Sequence, residues 1–412
     1  LKYILVIGDG MADDPVPELG GKTPIEYADT PVMDYLAAHG ELGSTHNIPE
    51  GLPPGSDTAI LSIFGCDPRY CFTGRAPLEA AAMGIELSPG DVAYRCNMVS
   101  FEDGEMPFEE KRILSHNAGS IEGDVSDRLV TELFSEPEFK AAAQSAGLSV
   151  RPGHSFRHIA VQKGADVKGI VLAGPHDHLG EKLGPLLPRG CENAEVLKRL
   201  MLLAHRILDN HPVNVRRRAE GRLPANGIWF WAEGTAVKLP NFFENYGKRG
   251  GVISAVPLCQ GIAALTGLEV VTVEGATGEL ETNYEGKVEA AMELLRKGAD
   301  FAAVHLEAPD ECTHNGDTQG KILAIEYIDR RVLGPLLEKL EKEGFEFRLL
   351  LLSDHKTLTS TRGHDGSPVP YILYDSRRKE GSGLPYSEAN GLKGPTVRAG
   401  TELMAKLFEQ NK

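Results

Sequence analysis

Between Tyr3 and Ile7 the chain reads YILVI, with no polar residue interrupting the apolar positions. A strand with one wet face would alternate, so this run predicts a strand buried on both faces, as in a parallel sheet covered by helices. Runs of the same kind recur at GIWFWA, GVISAV, LEVVTV, DFAAVHLE and FRLLLLSD. Around them, apolar residues fall at helical spacing over 24–39, 194–210, 284–297 and 321–342. Strands alternating with helices of this length indicate βαβ units. The expected fold is α/β, a mostly parallel sheet with helices on both faces.

One stretch breaks the rhythm. From about 96 to 219 the text is richer in His, Gly and Pro, with HNAGS, RPGHSFRH and AGPHDHLG. This predicts a smaller α+β domain, 96–219, inserted into a discontinuous core of 1–95 and 220–412. The linkers are expected near Arg95 and at 216–224. A cap of this kind could close over ligands bound at the carboxyl edge of the core sheet.

Composition narrows the function. At 412 residues the chain exceeds one ordinary core. Its formal charge of −16 argues against a nucleic acid partner, because a duplex repels such a surface. The basic stretch RRRAEGR follows HPVN and reads as a solvated helix end or linker. No apolar stretch approaches the length of a bilayer crossing, so no membrane partner is expected. The first strand begins almost at once, leaving no room for a leader, and the expected location is cytoplasmic. The cysteines are scattered without a C-x-x-C pair, which points to reduced thiols. An anionic substrate would need local cations to hold it against this global charge.

Candidate chemistry collects where apolar runs end. Asp9 stops the first run between Gly8 and Gly10; alone it reads first as a turn residue, with a ligand-binding carboxylate as the alternative. A dinucleotide fingerprint is a weak reading, because Asp13 stands in its third glycine position. In HLEAPDECTH, Asp310 and His314 stand four apart, on one face if the segment is helical, and could share a cation or form a simple surface pair. RLLLLSDHKTLTSTRGHDG ends a run in Asp354 and His355 and brings His364 later. Adjacent residues at a strand end diverge, which suits two metals better than one. Mixed carboxylate and imidazole donors favour manganese or zinc over magnesium. Ser56 follows a turn forced by PPG at the start of a predicted helix, where it reads as an N-cap or as a nucleophile whose helix amides face a phosphate.

The motifs G-D-G-M, P-P-G-S-D, TGRAPLEAAAMGI, GATGELETNYEGK, A-P-D-x-x-x-H and S-D-H with a later His resemble, nearly end to end, those of the archaeal-type cofactor-independent phosphoglycerate mutases. That group lies within the alkaline phosphatase superfamily and also includes bacterial proteins proposed to be homoserine kinases. The resemblance implies a phosphorylatable Ser56 and two divalent metals, most readily manganese with zinc or magnesium as alternatives, and no need for 2,3-bisphosphoglycerate. One metal would be held by Asp9, Ser56, Asp354 and His355, the other by Asp310, His314 and His364. Arg75 and Arg95 are the expected cations for the phosphate or carboxylate of a small phosphorylated substrate. Arg157, His158, His176 and Asp177 are further substrate-binding candidates in the cap.

The resemblance makes the expected reaction the interconversion of 3-phosphoglycerate and 2-phosphoglycerate through a phosphoserine. The alternative is ATP-dependent phosphorylation of a small alcohol such as homoserine. GGKT imitates the end of a Walker A motif but has Val16 in place of its first glycine. A catalytically silent metal-binding protein is a third reading, opposed by the complete serine and metal set. Ser120 and Glu181 stand where many relatives carry basic residues, which bears on the substrate more than on the metal chemistry. Nothing in the pattern specifies an oligomeric state.

Overall fold

The computed structural model describes residues 1–153 and 155–410. The chain divides into two compact units, Leu1–Phe72 with Lys238–Lys412, and Thr73–Val237.

The first unit is built on one eight-stranded sheet. Its strands are β1 (Lys2–Gly8), β2 (Glu41–Thr45), β8 (Gly250–Ile253), β9 (Glu269–Val271), β10 (Phe301–Leu306), β11 (Phe347–Leu352), β14 (Val369–Asp375) and β15 (Thr396–Val397), in the spatial order β15-β2-β14-β11-β1-β10-β8-β9. β1 runs parallel to both β10 and β11, with Ile7 opposite His305 on one side and Leu352 on the other. β14 is antiparallel to β11 and β2, so the sheet is mostly parallel. The central strands are buried throughout, which is why their sequences do not alternate. One face carries Ile4, Val6, Ala302, Val304, Leu349 and Leu351 into the main core. Strand alternation puts Phe301, Ala303 and His305 on the other face.

The predicted helices form with informative differences. The 24–39 segment splits into Pro24–Tyr27 and Pro31–His39, because the residue before Pro31 is pushed out of helical geometry; Thr30 sits at φ −130° and ψ 65°. The run after Thr318 is helical to Lys342 but passes through a π turn at Ile328–Leu333. Pro335 follows directly and has no N–H to give the preceding turn.

The second unit is α+β. β3 (Val92–Phe101) is its central strand, antiparallel to β6 (Arg157–Gln162) and to β7 (Gly227–Thr235), with β4 (Ile113–Ser115) and β5 (Leu148–Arg151) at the margins. Helices Gly123–Ser135, Pro137–Ser145 and Glu192–Asp209 cover one face, and Arg75–Ala82 covers the other. The domain boundaries expected at 95 and 220 are therefore corrected. The cut at Arg95 would divide β3, and GIWFWA is β7 of this unit, paired with β3 over Val92–Val99, instead of a strand of the parallel core. RRRAEGR is also no linker: it ends the helix Pro212–Ala219, and buried Arg217 donates to the Leu223 and Ala118 carbonyls and to Glu122. The remaining short β12 (Lys356–Leu358) and β13 (Gly363–Asp365) form a hairpin in the first unit. Among the described residues, no helix is long and apolar enough to cross a membrane.

Candidate functional site

The carboxyl ends of β1, β10 and β11 lie side by side, and each releases an acid into the same place. Asp9 follows β1, Asp310 lies in the helix Ala308–His314 after β10, and Asp354 with His355 follows β11. All four are buried. Gly10 makes the convergence possible. It adopts φ +63°, and a Cβ there would run into Thr357 Oγ1 and the Asp310 carboxylate. Its amide donates to Asp354 Oδ1 at 3.0 Å.

Ser56 is the first residue of the helix Ser56–Ile63, with Gly55 in the cap position. Its hydroxyl does not cap that helix. It lies 3.1 Å from both Asp9 oxygens and 3.0 Å from His355 Nε2. His355 Nδ1 faces the Lys356 carbonyl at 3.0 Å. A proton on Nδ1 satisfies that carbonyl and leaves Nε2 as a lone pair aimed at Ser56, Asp9 and Asp354. Asp354 Oδ2, 3.3 Å from that nitrogen, is buried without a hydrogen-bond partner.

The second group is built the same way. His314 Nδ1 faces the Arg362 carbonyl at 2.7 Å, which directs Nε2 inward. His314 and His364 each bring Nε2 to 3.2 Å from Asp310 Oδ1, and the two nitrogens lie 2.9 Å apart. Thr357 donates to the same Asp310 oxygen at 2.6 Å. The helical spacing of Asp310 and His314 thus gives one shared face.

The carboxyls and imidazoles of this cluster shift one another strongly. Burial, with the nearby Asp354 and Asp310, raises the Asp9 carboxyl well above its usual range. Burial also pushes Asp310 up, but hydrogen bonds from His314 and His364 hold it far below that range. The Asp310 hydrogen bond in turn raises His314 to about 9. Ligand atoms of Asp9, Asp354 and His355 lie within 4.8 Å of one another, as do those of Asp310, His355 and His364. The orphaned Asp354 oxygen and the inward lone pairs fit two divalent cations.

His305 is a neighbour that sequence reasoning missed. It contacts Asp9 Oδ2 through Nε2 at 2.8 Å, yet inside DFAAVHLE it reads only as part of a buried strand.

In the second unit, Arg75, Arg95 and Arg157 converge on Glu79, a residue the sequence reading did not single out. Arg95 donates to both carboxylate oxygens, from Nε at 2.8 Å and from Nη2, and its guanidinium lies 4.8 Å from the Trp231 ring. Arg75 Nε is 3.4 Å from Glu79 Oε1. Burial raises the Glu79 carboxyl, but Arg95 first, then Arg75 and Arg157, bring it below its ordinary value. Burial, assisted by Arg95, lowers Arg157 to about 10. The Nε atoms of Arg75 and Arg157 are buried without hydrogen-bond partners. Three guanidinium groups around one carboxylate leave a surplus of two positive charges, a setting for an anion.

His158 does not join them, which corrects its expected substrate role. Neighbours on a strand face opposite ways, so Arg157 faces Glu79 while His158 points into the core. There its ring is fully buried, accepts from the Gly153 amide at 3.0 Å and contacts Ser126 Oγ at 2.8 Å. His176 lies at a tilt beside Trp231, with ring centroids 5.1 Å apart. Asp177 lies 3.4 Å from His176 Nε2, is largely exposed and makes no ion pair with the three arginines.

Comparison with known proteins gives a consistent picture. Residues 37–214 match the family model described as 2,3-bisphosphoglycerate-independent phosphoglycerate mutase. A Geobacter sulfurreducens protein named probable 2,3-bisphosphoglycerate-independent phosphoglycerate mutase is 41% identical over 412 residues, covering 100% of both chains. A Methanosarcina barkeri 2,3-bisphosphoglycerate-independent phosphoglycerate mutase is 43% identical over 398 residues, covering 96% of each. A solved Pyrococcus horikoshii protein superimposes with TM-score 0.81 at 31% identity over 100% of this chain and 98% of its own. On identity sustained across both units, the chain belongs to the family of 2,3-bisphosphoglycerate-independent phosphoglycerate mutases.

Proposed function

We propose that the chain interconverts 3-phosphoglycerate and 2-phosphoglycerate through a phosphoserine at Ser56. The observation that carries the proposal is the Ser56 hydroxyl at 3.0–3.1 Å from Asp9 and His355, at the head of a helix and beside two sets of converging ligands. Asp9, Ser56, Asp354 and His355 would hold one divalent ion, and Asp310, His314 and His364 the other, with manganese favoured by the mixed donors. When bound, such ions lower the pKa of a coordinated hydroxyl and offset the charge of a transferring phosphoryl group.

The chain's own residues supply the rest. Asp9 accepts from the Ser56 hydroxyl and orients its lone pair. Amides in the first turn of Ser56–Ile63 receive phosphoryl oxygens. Ser56 Oγ bonds to phosphorus as the carbon-3 oxygen to phosphorus bond breaks, and the departing glycerate oxygen takes up the proton lost by Ser56. The 2-hydroxyl then attacks the same phosphorus and loses its proton, the Oγ–phosphorus bond breaks, and that proton passes to Ser56, leaving the 3-hydroxyl protonated. In the second unit, the surplus positive charge of Arg75, Arg95 and Arg157 around Glu79 suits a phosphate or carboxylate.

The test incubates manganese-loaded protein with 3-phosphoglycerate, and separately with ATP and homoserine, and follows both by phosphorus NMR. A 2-phosphoglycerate signal without added bisphosphoglycerate is expected, and Ser56→Ala abolishes it while keeping the wild-type circular dichroism. A new ester only in the ATP tube would replace the mutase reading with a kinase. Release of inorganic phosphate alone would make the protein a phosphatase, and substantial turnover by Ser56→Ala would remove the phosphoserine step.

A further inference from the structure

His305 and Ser254 form a chain of contacts behind Asp9. Ser254 follows β8, and its hydroxyl accepts from the Val256 amide at 3.0 Å. That leaves its own proton for His305 Nδ1, 3.1 Å away. With Nδ1 accepting, the imidazole proton lies on Nε2 and is donated to Asp9 Oδ2 at 2.8 Å. His305 is fixed in turn by its strand, and the buried Lys287 ammonium donates to its carbonyl at 3.0 Å.

We infer that His305, oriented by Ser254, is a positioning residue that holds the Asp9 carboxylate in its ligating orientation. The geometry is specific. His305 Nε2 meets Asp9 Oδ2 at 2.8 Å, His355 Nε2 lies 3.5 Å from Oδ1, and the Ser56 hydroxyl is 3.1 Å from both oxygens. A carboxylate without that donor could rotate about its terminal torsion, which is broad and roughly two-fold. The Nε2 donor, itself held by the Ser254 contact at Nδ1, fixes that torsion. Outer-shell hydrogen bonds of this kind commonly set metal affinity.

The inference rests on Asp9 being a metal ligand, and the experiment separates the two claims. Mn2+ binding to the full chain is measured by isothermal titration and by electron paramagnetic resonance, which read occupancy and affinity without turnover. Wild type is expected to bind two ions, and Asp9→Asn to lose one. His305→Leu weakens that same ion about 10–100-fold and leaves the Asp310 ion unchanged. His305→Gln, whose carboxamide can place an N–H where Nε2–H lies, restores most of the affinity. Should His305→Leu not fold, Ser254→Ala carries the test, since it frees the ring to take the other tautomer; a loss of about 10-fold confined to the Asp9 ion is expected, at the low end of outer-shell effects. If Asp9→Asn costs an ion but the His305 and Ser254 variants bind both ions as wild type does, the positioning role is refuted alone. If Asp9→Asn still binds two ions, the ligand assignment falls and the inference with it.

Discussion

Replacing Glu79 should damage the second unit more than replacing Arg95, although the two form one ion pair. The reason is the unequal number of partners. Glu79 is the counter-charge for Arg95, Arg75 and Arg157, whereas Arg95 has Glu79 as its carboxylate. Glu79→Met removes the anion and leaves a buried cation unpaired between two others, and breaking a buried pair in this way costs about 3–5 kcal/mol. Arg95→Met leaves Glu79 with Arg75 and Arg157, so the loss is nearer that of a hydrogen bond to a charged group, about 1.5–3 kcal/mol. Replacing both by methionine removes the uncompensated charge, and the double variant should be more stable than Glu79→Met alone.

The assay is unusually direct. The chain has two tryptophans, Trp229 and Trp231, both on β7 of the second unit. Their emission therefore follows unfolding of that unit in the intact protein. At roughly 2–4 °C per kcal/mol for a domain of this size, Glu79→Met should lower the midpoint by about 6–20 °C, and Arg95→Met by visibly less. Inorganic phosphate should raise the Glu79→Met midpoint more than wild type's, because an anion binding the folded cluster stabilises it by mass action. Equal midpoints for the two single variants, or a lower one for Arg95→Met, would refute this account of the arginine cluster.

Two other outcomes are expected. His158 is buried and lowered to about 4 by desolvation, so between pH 6.5 and about 4 the unfolded chain carries a proton that the folded one lacks. Stability therefore falls as pH drops through this window, by up to about 3 kcal/mol at about 1.36 kcal/mol per pH unit, and His158→Gln should flatten the slope in urea titrations; an unchanged slope would refute it. Lys321 is fully buried in the first unit, donating to Asp13 at 2.9 Å and to the Thr357 carbonyl at 2.7 Å. Lys321→Met should cost about 3–5 kcal/mol by circular dichroism, and Lys321→Met with Asp13→Asn should recover part of it; equal losses in the two would exclude charge imbalance as the cause.

Much of the first unit's site was legible because its residues sit where a change of pattern marks them. An apolar run that stops at Asp9, Asp354 or the Asp310 segment marks a strand's carboxyl end, and adjacent parallel strands bring such ends together. The four-residue spacing of Asp310 and His314 is a helical face written in the sequence. What these signals lack is any record of which strands are neighbours. β3 and β7 pair across more than a hundred residues of chain, so a boundary drawn from local composition cut through β3.

The residues missed share one physical reason. His305 lies in a strand buried on both faces, where the absence of alternation that reveals the parallel sheet also hides which face each residue occupies. Glu79, in a helix of alanines and a leucine, reads as an ordinary polar position until Arg95 and Arg157 arrive from two strands. Arg157 and His158 show the limit at its sharpest, because one step along β6 separates an arginine facing a carboxylate from a histidine sealed in the core. Local pattern tells where a chemical group is attached; the partner that gives it a role comes from another strand. In this protein the converging acids and imidazoles are therefore readable from strand ends, while the residues packed against them become visible only through the contacts between strands.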